Sequence, residues 1–479
     1  MSVSLVILLA YAVLMVLLTW VGSRITAKAS LKGDSTLNYM LAGRNLPTPI
    51  VATMVTGLAV GGASTVGVAE QAYTAGLSAG WYNGAWALGA LIAGLFLAHH
   101  FRRLKVRTIP EIMGIAYGPR VRVLSTVIQL LMMITITSLQ YVAAGAILTA
   151  LLPDLFSFTG GMVASALIFI AITLTGGYWA SGLTNVINVI IIYLGIFLAL
   201  GASVTSYGGV EKIVAALPAA SGDVWFDPVA GIGWGVMLGW LWTMSQVSTI
   251  QGVGQISMAA RDEKAARRGF IWGAVLIFPA GFLCSLFGII AASQHPGLER
   301  AAMALPAIAT HITPAIGGIF LASLWAADVS TATVLLMGSG ALFIEDVWKK
   351  LLPNSIPAGK ELAMSRLGVF IVSALSFGLS LTIVGILKTI TSGLAMTTPF
   401  MILLLMNLYA PSLCKRASGG WMLSASLVLW ALWTFVPATR IGPHLVYAQW
   451  VLCLIVLAAT TLLGKAPAGK LAVQPDETL

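Results

Sequence analysis

The chain has 479 residues, 58% of them hydrophobic and only 9% charged, with a formal net charge of +10. Soluble domains carry about 25% charged residues, so the composition excludes a soluble globule and points to an all-α polytopic membrane protein. A basic surplus can also mean nucleic acid or acidic partners, but position decides more than the total.

Thirteen apolar segments are predicted, at about 3–23, 47–72, 79–99, 122–151, 157–175, 183–204, 229–256, 269–292, 314–343, 364–386, 390–411, 420–437 and 445–463. The first, Val3 to Val21, has neither a basic n-region nor a small-residue cleavage pattern before Arg24, and reads as a retained span. Basic residues follow alternate segments: Arg24, Lys28, Lys32 and Arg44; Arg102, Arg103, Lys105, Arg107, Arg120 and Arg122; Arg261, Lys264, Arg267 and Arg268. Lys349, Lys350, Lys360 and Arg366, then Lys415 and Arg416, then Lys465 and Lys470 continue on the same side. Only Lys212, Arg300, Lys388 and Arg440 fall opposite. The positive-inside rule then places the N-terminus outside and the C-terminus in the cytoplasm of a plasma (inner) membrane. Topology accounts for the charge without nucleic acid. Cys284, Cys414 and Cys453 lie far apart and indicate neither disulfides nor a metal cluster.

The second segment holds Gly57, Gly61 and Gly62 within Thr56-Gly57-Leu58-Ala59-Val60-Gly61-Gly62-Ala63-Ser64-Thr65, where an unbroken helix is costly. Glu70 and Gln71, near its outer end, suit an access vestibule. His99 and His100 end the third segment, where a solvated interfacial role is the plain reading. The seventh opens with Gly231, Gly233, Gly235 and Gly239 and turns polar at Trp242-Thr243-Met244-Ser245-Gln246-Val247-Ser248-Thr249. Glycines also let membrane helices pack closely. Segments two and seven, however, each begin a set of five, and broken helices at matching places of inverted repeats mark a midplane binding site. The ninth segment carries Trp325-Ala326-Ala327-Asp328-Val329-Ser330-Thr331 near mid-depth. A charged side chain there costs at least ~2.5–3.5 kcal/mol on insertion scales. Ala327, Ser330 and Thr331 fall at i, i+3 and i+4 on one helix face, giving a carbonyl and two hydroxyls suited to a hard cation. The plainer reading is that such hydroxyls merely bond back to the preceding turn.

Four stretches resemble the sodium:solute symporter family, which includes proline, sugar and sialic-acid symporters. They are Tyr39-Met40-Leu41-Ala42-Gly43-Arg44-Asn45-Leu46, Arg107-Thr108-Ile109-Pro110-Glu111, Gln255-Ile256-Ser257-Met258-Ala259-Ala260-Arg261-Asp262-Glu263-Lys264-Ala265-Ala266-Arg267, and Ala327-Asp328-Val329-Ser330-Thr331 followed by Glu345-Asp346. The resemblance runs to about residue 460. It implies a leucine-transporter-like core of five plus five inverted helices, with one extra N-terminal and two extra C-terminal helices. The expected divisions are 1–45 (first span and cytoplasmic loop), 46–205 and 206–412 (the two repeats), 413–464 (two further spans) and 465–479 (cytoplasmic tail).

The resemblance also implies a sodium site built from Ser330 and Thr331 hydroxyls and the carbonyls of Ala327, Gly57 and Val60. Asp328 is not a family ligand; it lies about 60° around the helix from Thr331, where it would flank the site, balancing the ion's charge or carrying a proton. Substrate contacts are expected from Ser64, Thr65, Gln140, Tyr141, Trp240, Trp242, Thr243 and Gln246. Some members hold a second sodium with an Asp on the sixth span and two further hydroxyls. Here those positions read Asn185, Thr333 and Val334, so one sodium per solute is expected.

Sodium-coupled import of a small organic solute (an amino acid, carboxylate, sugar or vitamin) by alternating access is the leading function, with no obligate protein partner evident. The alternatives are a proton-coupled symporter using Asp328 and a transporter-like solute sensor. An enzyme is disfavoured, because no His/Asp/Glu cluster or nucleophile motif appears in any loop.

Overall fold

In a bilayer core no water satisfies the backbone, so an apolar chain closes its own hydrogen bonds as helix. The computed structural model describes residues 3–31, 34–218, 224–351, 360–383, 385–440 and 442–471. Lys32 and the end of the predicted tail, 472–479, lie outside the described residues. Among the described residues nine helices are long and apolar enough to cross a membrane.

In chain order the main helices are α1 (Val3–Ser30), α2 (Ser35–Leu41), α3 (Thr48–Ala59), α4 (Val66–Ala75), α5 (Trp81–Ile92), α6 (Ile109–Tyr117), α7 (Pro119–Leu151) and α8 (Phe158–Ser206). They continue with α9 (Gly233–Met244), α10 (Gln251–Ala259), α11 (Glu263–Gln294), α12 (Pro314–Leu342), α13 (Glu361–Ser380), α14 (Ile386–Leu394), α15 (Thr398–Tyr409), α16 (Arg416–Phe435) and α17 (Leu445–Leu463). Both glycine-weakened segments are interrupted, between α3 and α4 and between α9 and α10. The predicted fifth and sixth segments form one helix, α8, of 49 residues. Straight, it would reach ~74 Å, more than twice a bilayer core. It leaves helical geometry at Gly177, where φ is 66° and ψ −177°, a conformation that glycine adopts without penalty.

Burial ranks the helices. The most apolar window of the helix from Pro314 through Trp348 is 94% buried, against 22% for α1. α12 is thus the central post, packed by α1, α3, α7, α8, α10 and α13. At the end where α2, α6, α7 and α13 begin and α12 finishes, charges pair. Arg103 meets Glu263 at 2.6 Å, Arg107 meets Glu345 at 2.9 Å and also Asp34, and Arg122 meets Asp346 at 2.6 Å. Two backbone hydrogen bonds join the approach to α3 with the exit of α10, Leu46 N–H to the Ala259 carbonyl (3.1 Å) and Arg261 N–H to the Leu46 carbonyl (2.9 Å).

Candidate functional site

The first interruption shows why glycine is needed. A Cβ at Gly61 would meet the Thr331 hydroxyl and, at 2.8 Å, Gln140 Oε1; one at Gly62 would meet Ala143 and the Asp328 carboxylate. Glycine here permits close approach of backbone to side-chain oxygens. The Gly62 N–H donates to Gln140 Oε1 at 2.9 Å. The Gly61 carbonyl accepts from the N–H groups of Ser64 (3.0 Å) and Thr65 (3.1 Å). The Thr65 hydroxyl also donates to it at 3.0 Å, and the Ser64 hydroxyl donates to the Ala59 carbonyl. Both hydroxyls, expected to face solute, therefore close the break on itself.

At the second interruption a short turn (Val247–Thr249) separates α9 from α10. Gln129 from α7 grips it, donating to the Thr249 carbonyl at 2.7 Å and accepting from Gln251 N–H at 2.9 Å. Gln246 donates to the Thr398 hydroxyl at 3.1 Å. Its Oε1 and the hydroxyls of Thr243 and Ser248 are buried without a hydrogen-bond partner. Buried polar atoms left unsatisfied are uncommon in folded proteins and ask for a ligand or water.

Four of the five expected sodium ligands converge. Ser330 Oγ lies 2.7 Å from the Ala327 carbonyl and 3.3 Å from that of Gly57; Thr331 Oγ1 lies 2.7 Å from Gly57 and 3.4 Å from the Leu58 carbonyl. Val60, the fifth, ends α3 with φ −95° and ψ 66°. This is a buried cluster of neutral oxygens spanning the broken helix and the central post. The donor set fits a monovalent cation, since each hydroxyl can turn its proton away and offer a lone pair.

Asn185 sits against the cluster. A Cβ at Gly57 would meet its Oδ1 and, at 3.4 Å, Ser330 Oγ. Its Nδ2 donates to the Ser181 carbonyl at 2.7 Å, while Oδ1 is unpartnered. Thr333 spends its hydroxyl on the Ser330 carbonyl at 3.0 Å. Asp328 is fully buried and is paired with no basic group among the described residues.

Beside this cluster lies a cavity of about 20 Å³, room for one water-sized guest. Gly61, Ala63, Tyr82, Trp86, Gln140 and Thr331 are among its walls. Of the expected solute residues, Gln140 reaches it directly. Trp240 stands one layer back, edge-on to Tyr82 at 5.9 Å. Tyr141 points elsewhere, its hydroxyl 2.6 Å from Ser373 Oγ and its ring stacked on Phe169. Trp242 is 48% exposed and packs edge-on against Trp450, on the outer surface. Tyr82 and Trp86 were not anticipated, although their i, i+4 spacing puts both rings on one face of α5. Glu70 accepts from Ile386 N–H at 3.3 Å, and His100 meets the Tyr409 hydroxyl at 3.3 Å; neither joins the cavity.

The model for the sodium:solute symporter family matches residues 39–422. The sodium/glucose cotransporter of Vibrio parahaemolyticus is 25% identical over 390 residues, 74% of this chain and 71% of that protein. The sodium/pantothenate symporter of Haemophilus influenzae is 26% identical over 358 residues, 72% of this chain and 73% of its own length. In three dimensions a Na+-coupled sialic acid symporter, solved substrate-bound and outward-open, superposes with a TM-score of 0.80. That likeness covers 97% of this chain and 98% of the other at 19% identity, and so concerns the fold.

Proposed function

This chain belongs to the sodium:solute symporter family, and from that premise we propose how its own residues perform coupled transport. The protein is a multi-pass membrane transporter, not an enzyme, and it moves a small organic solute together with sodium. Sodium binds between the Gly57 and Ala327 carbonyls and the Ser330 and Thr331 hydroxyls, with Val60 contributing its carbonyl. The observation that carries this reading is the meeting of both hydroxyls with the Gly57 carbonyl, at 3.3 and 2.7 Å, across two helices. An ion there bridges the broken helix to the central post, and its release lets them part. That is the coupling step of alternating access.

The solute occupies the adjoining cavity, between Gln140, Tyr82 and Trp86 and the second interruption, where Thr243, Gln246 and Ser248 have unpartnered polar atoms. At about 20 Å³ this cavity is too small for an organic solute and must widen to load. We assign one sodium per solute. The amide of Asn185 brings no charge to a second ion, and Thr333 is already engaged; an uncompensated cation in a buried site is costly.

The full organisation follows the same reading: thirteen spans, with repeats at 46–205 and 206–412, the N-terminus outside and the C-terminus in the cytoplasm. The bend at Gly177 and the matched interruptions support it. The deciding experiment is uptake into proteoliposomes under an imposed sodium gradient, scored for radiolabelled sodium and solute together. Equal fluxes and a sodium Hill coefficient near unity are expected. Solute uptake indifferent to sodium but driven by a proton gradient overturns the ion assignment.

A further inference from the structure

Of the four basic residues that the sequence places away from the cytoplasmic side, two wall one cavity. Lys388 and Arg440 both line a space of about 750 Å³ between α7, α13, α14 and α16, at the end of the bundle opposite the ion-pair belt. Lys212 lies instead beside Gly208, and Arg300 covers the Phe158 ring. No Asp or Glu is among the walls of the cavity. Arg440 is held in place, its Nε donating to the Trp433 carbonyl at 3.0 Å and its Nη2 to the Thr434 carbonyl at 3.1 Å. A guanidinium carries five N–H groups, so most of its donors are left for a guest.

The cavity is graded along its length. Its walls follow α14 from Gly385 to Gly393, a rise of about 12 Å, against ~15 Å for the hydrocarbon of one leaflet. The two cations stand toward the helix ends, with the loop ahead of α17. At the deep end stand Leu131, Ile134 and Thr135, near the middle of α7, and between them run Leu379, Ile383, Trp430 and Trp433. Trp430 Nε1 and Thr434 Oγ1, on residues of the same wall, are buried without a hydrogen-bond partner. Phe435, at the rim, is 73% exposed, so the slot opens toward the bilayer. A small soluble anion would use the cationic end and leave the apolar shaft unfilled. A neutral hydrocarbon would fill the shaft and leave both cations unmet. A phosphate carried on an acyl chain answers both, and basic pockets between membrane helices bind such headgroups.

We propose that this slot binds an anionic phospholipid from the leaflet at that end, its phosphate held by Lys388 and Arg440 and one acyl chain running along the shaft toward Thr135. The site bears on transport through α14, which is a partition. Ile390 walls the small cavity beside Gln140 and Thr331, while Lys388, Thr389 and Thr391 of the same helix wall the slot. A lipid there braces α14 from behind.

The test places the full chain in mixed micelles with equal amounts of phosphatidylglycerol and phosphatidylcholine, counts retained lipid by native mass spectrometry and records the melting temperature. The wild type should retain phosphatidylglycerol in preference and melt higher with it than with phosphatidylcholine alone. Lys388→Gln, a change at an exposed position, should weaken that retention about fivefold while melting as the wild type does in phosphatidylcholine. Ser392→Trp fills the shaft, leaves both cations in place and should lose the retained lipid. Should Ser392→Trp melt lower in phosphatidylcholine, the count for Lys388→Gln decides alone. Equal retention of the two lipids by the wild type overturns the proposal, as does undiminished phosphatidylglycerol retention in Lys388→Gln. Stabilisation by glycerol phosphate, which has the anion and no acyl chain, equal to that by phosphatidylglycerol would assign the slot to a soluble anion and overturn the lipid.

Discussion

Asp328 and Asp346 lie on one continuous helix about five turns apart, both buried, and they have opposite surroundings. Asp346 meets the Arg122 guanidinium at 2.6 Å, within a belt of pairs that also ties Arg107 to Glu345 and Asp34. Asp328 meets no cation among the described residues. The paired carboxylate fastens the bundle at one end, and the unpaired one stands mid-helix against the Gly62 backbone. The difference teaches that burial of a charge does not by itself say what the charge does; its partners do.

The comparison breaks most visibly through stability. Arg122→Met leaves Asp346 buried and unpaired and should lower unfolding free energy by about 3–5 kcal/mol, read as thermal unfolding in detergent. Asp328→Asn removes a charge that had no partner, so its melting temperature should hold or rise while transport falls at least about tenfold. If both variants lost stability equally, the two carboxylates would have the same role and the distinction would fail.

Thr331→Ala and Ser330→Ala sharpen the picture next to Asp328. Loss of one hydroxyl should raise the sodium concentration for half-maximal uptake about fivefold to tenfold, the worth of one hydrogen-bonding ligand at about 1–1.5 kcal/mol, with expression unchanged. Equal sodium dependence in both variants and wild type would remove them from the ion site.

The smallest effect belongs to the rim of the belt. Partial burial pushes the Asp34 carboxyl up, but the Leu37 and Thr36 N–H groups and the Arg107 guanidinium outweigh it and hold it below the usual carboxylate range. A carboxyl lowered by folding adds stability above its unfolded pKa of about 3.9, and that stability is lost as pH falls through the lowered value. Asp34→Asn should therefore lower the neutral plateau of a melting-temperature profile slightly, since half-exposed pairs are worth about 1 kcal/mol or less, and meet the wild-type curve in acid, which leaves its acid limb flatter.

Both interruptions were readable, the first from glycines crowded into an apolar segment, the second from the polar run Thr243 to Thr249, since Gly235 and Gly239 lie within the intact α9. Helical spacing put the Ser330 and Thr331 hydroxyls on one face, while their meeting with Gly57 was expected only through the family resemblance. The solute wall was less readable. Trp242 and Tyr141 sit in polar or aromatic stretches that suggested a pocket, yet which way a ring on a membrane helix turns is set by the neighbouring helix. The i, i+4 pair Tyr82 and Trp86 carries no polar signal of its own, and its place at the cavity follows from the packing of α5 beside Trp240, Ile250 and Val253. The pairing of Arg122 with Asp346 joins residues more than two hundred positions apart and leaves no trace in local pattern.

The strap between Leu46 and the Ala259–Arg261 backbone has a mechanical consequence. It fixes the start of one half-helix to the end of another, so α3 and α10 are coupled at the same end of the bundle while their far ends meet the interruptions at 60–65 and 245–250. Two levers pinned together at one tip and jointed at the other swing as a pair. The strap thus removes a degree of freedom: a movement begun at one joint is transmitted to the other without a separate linkage.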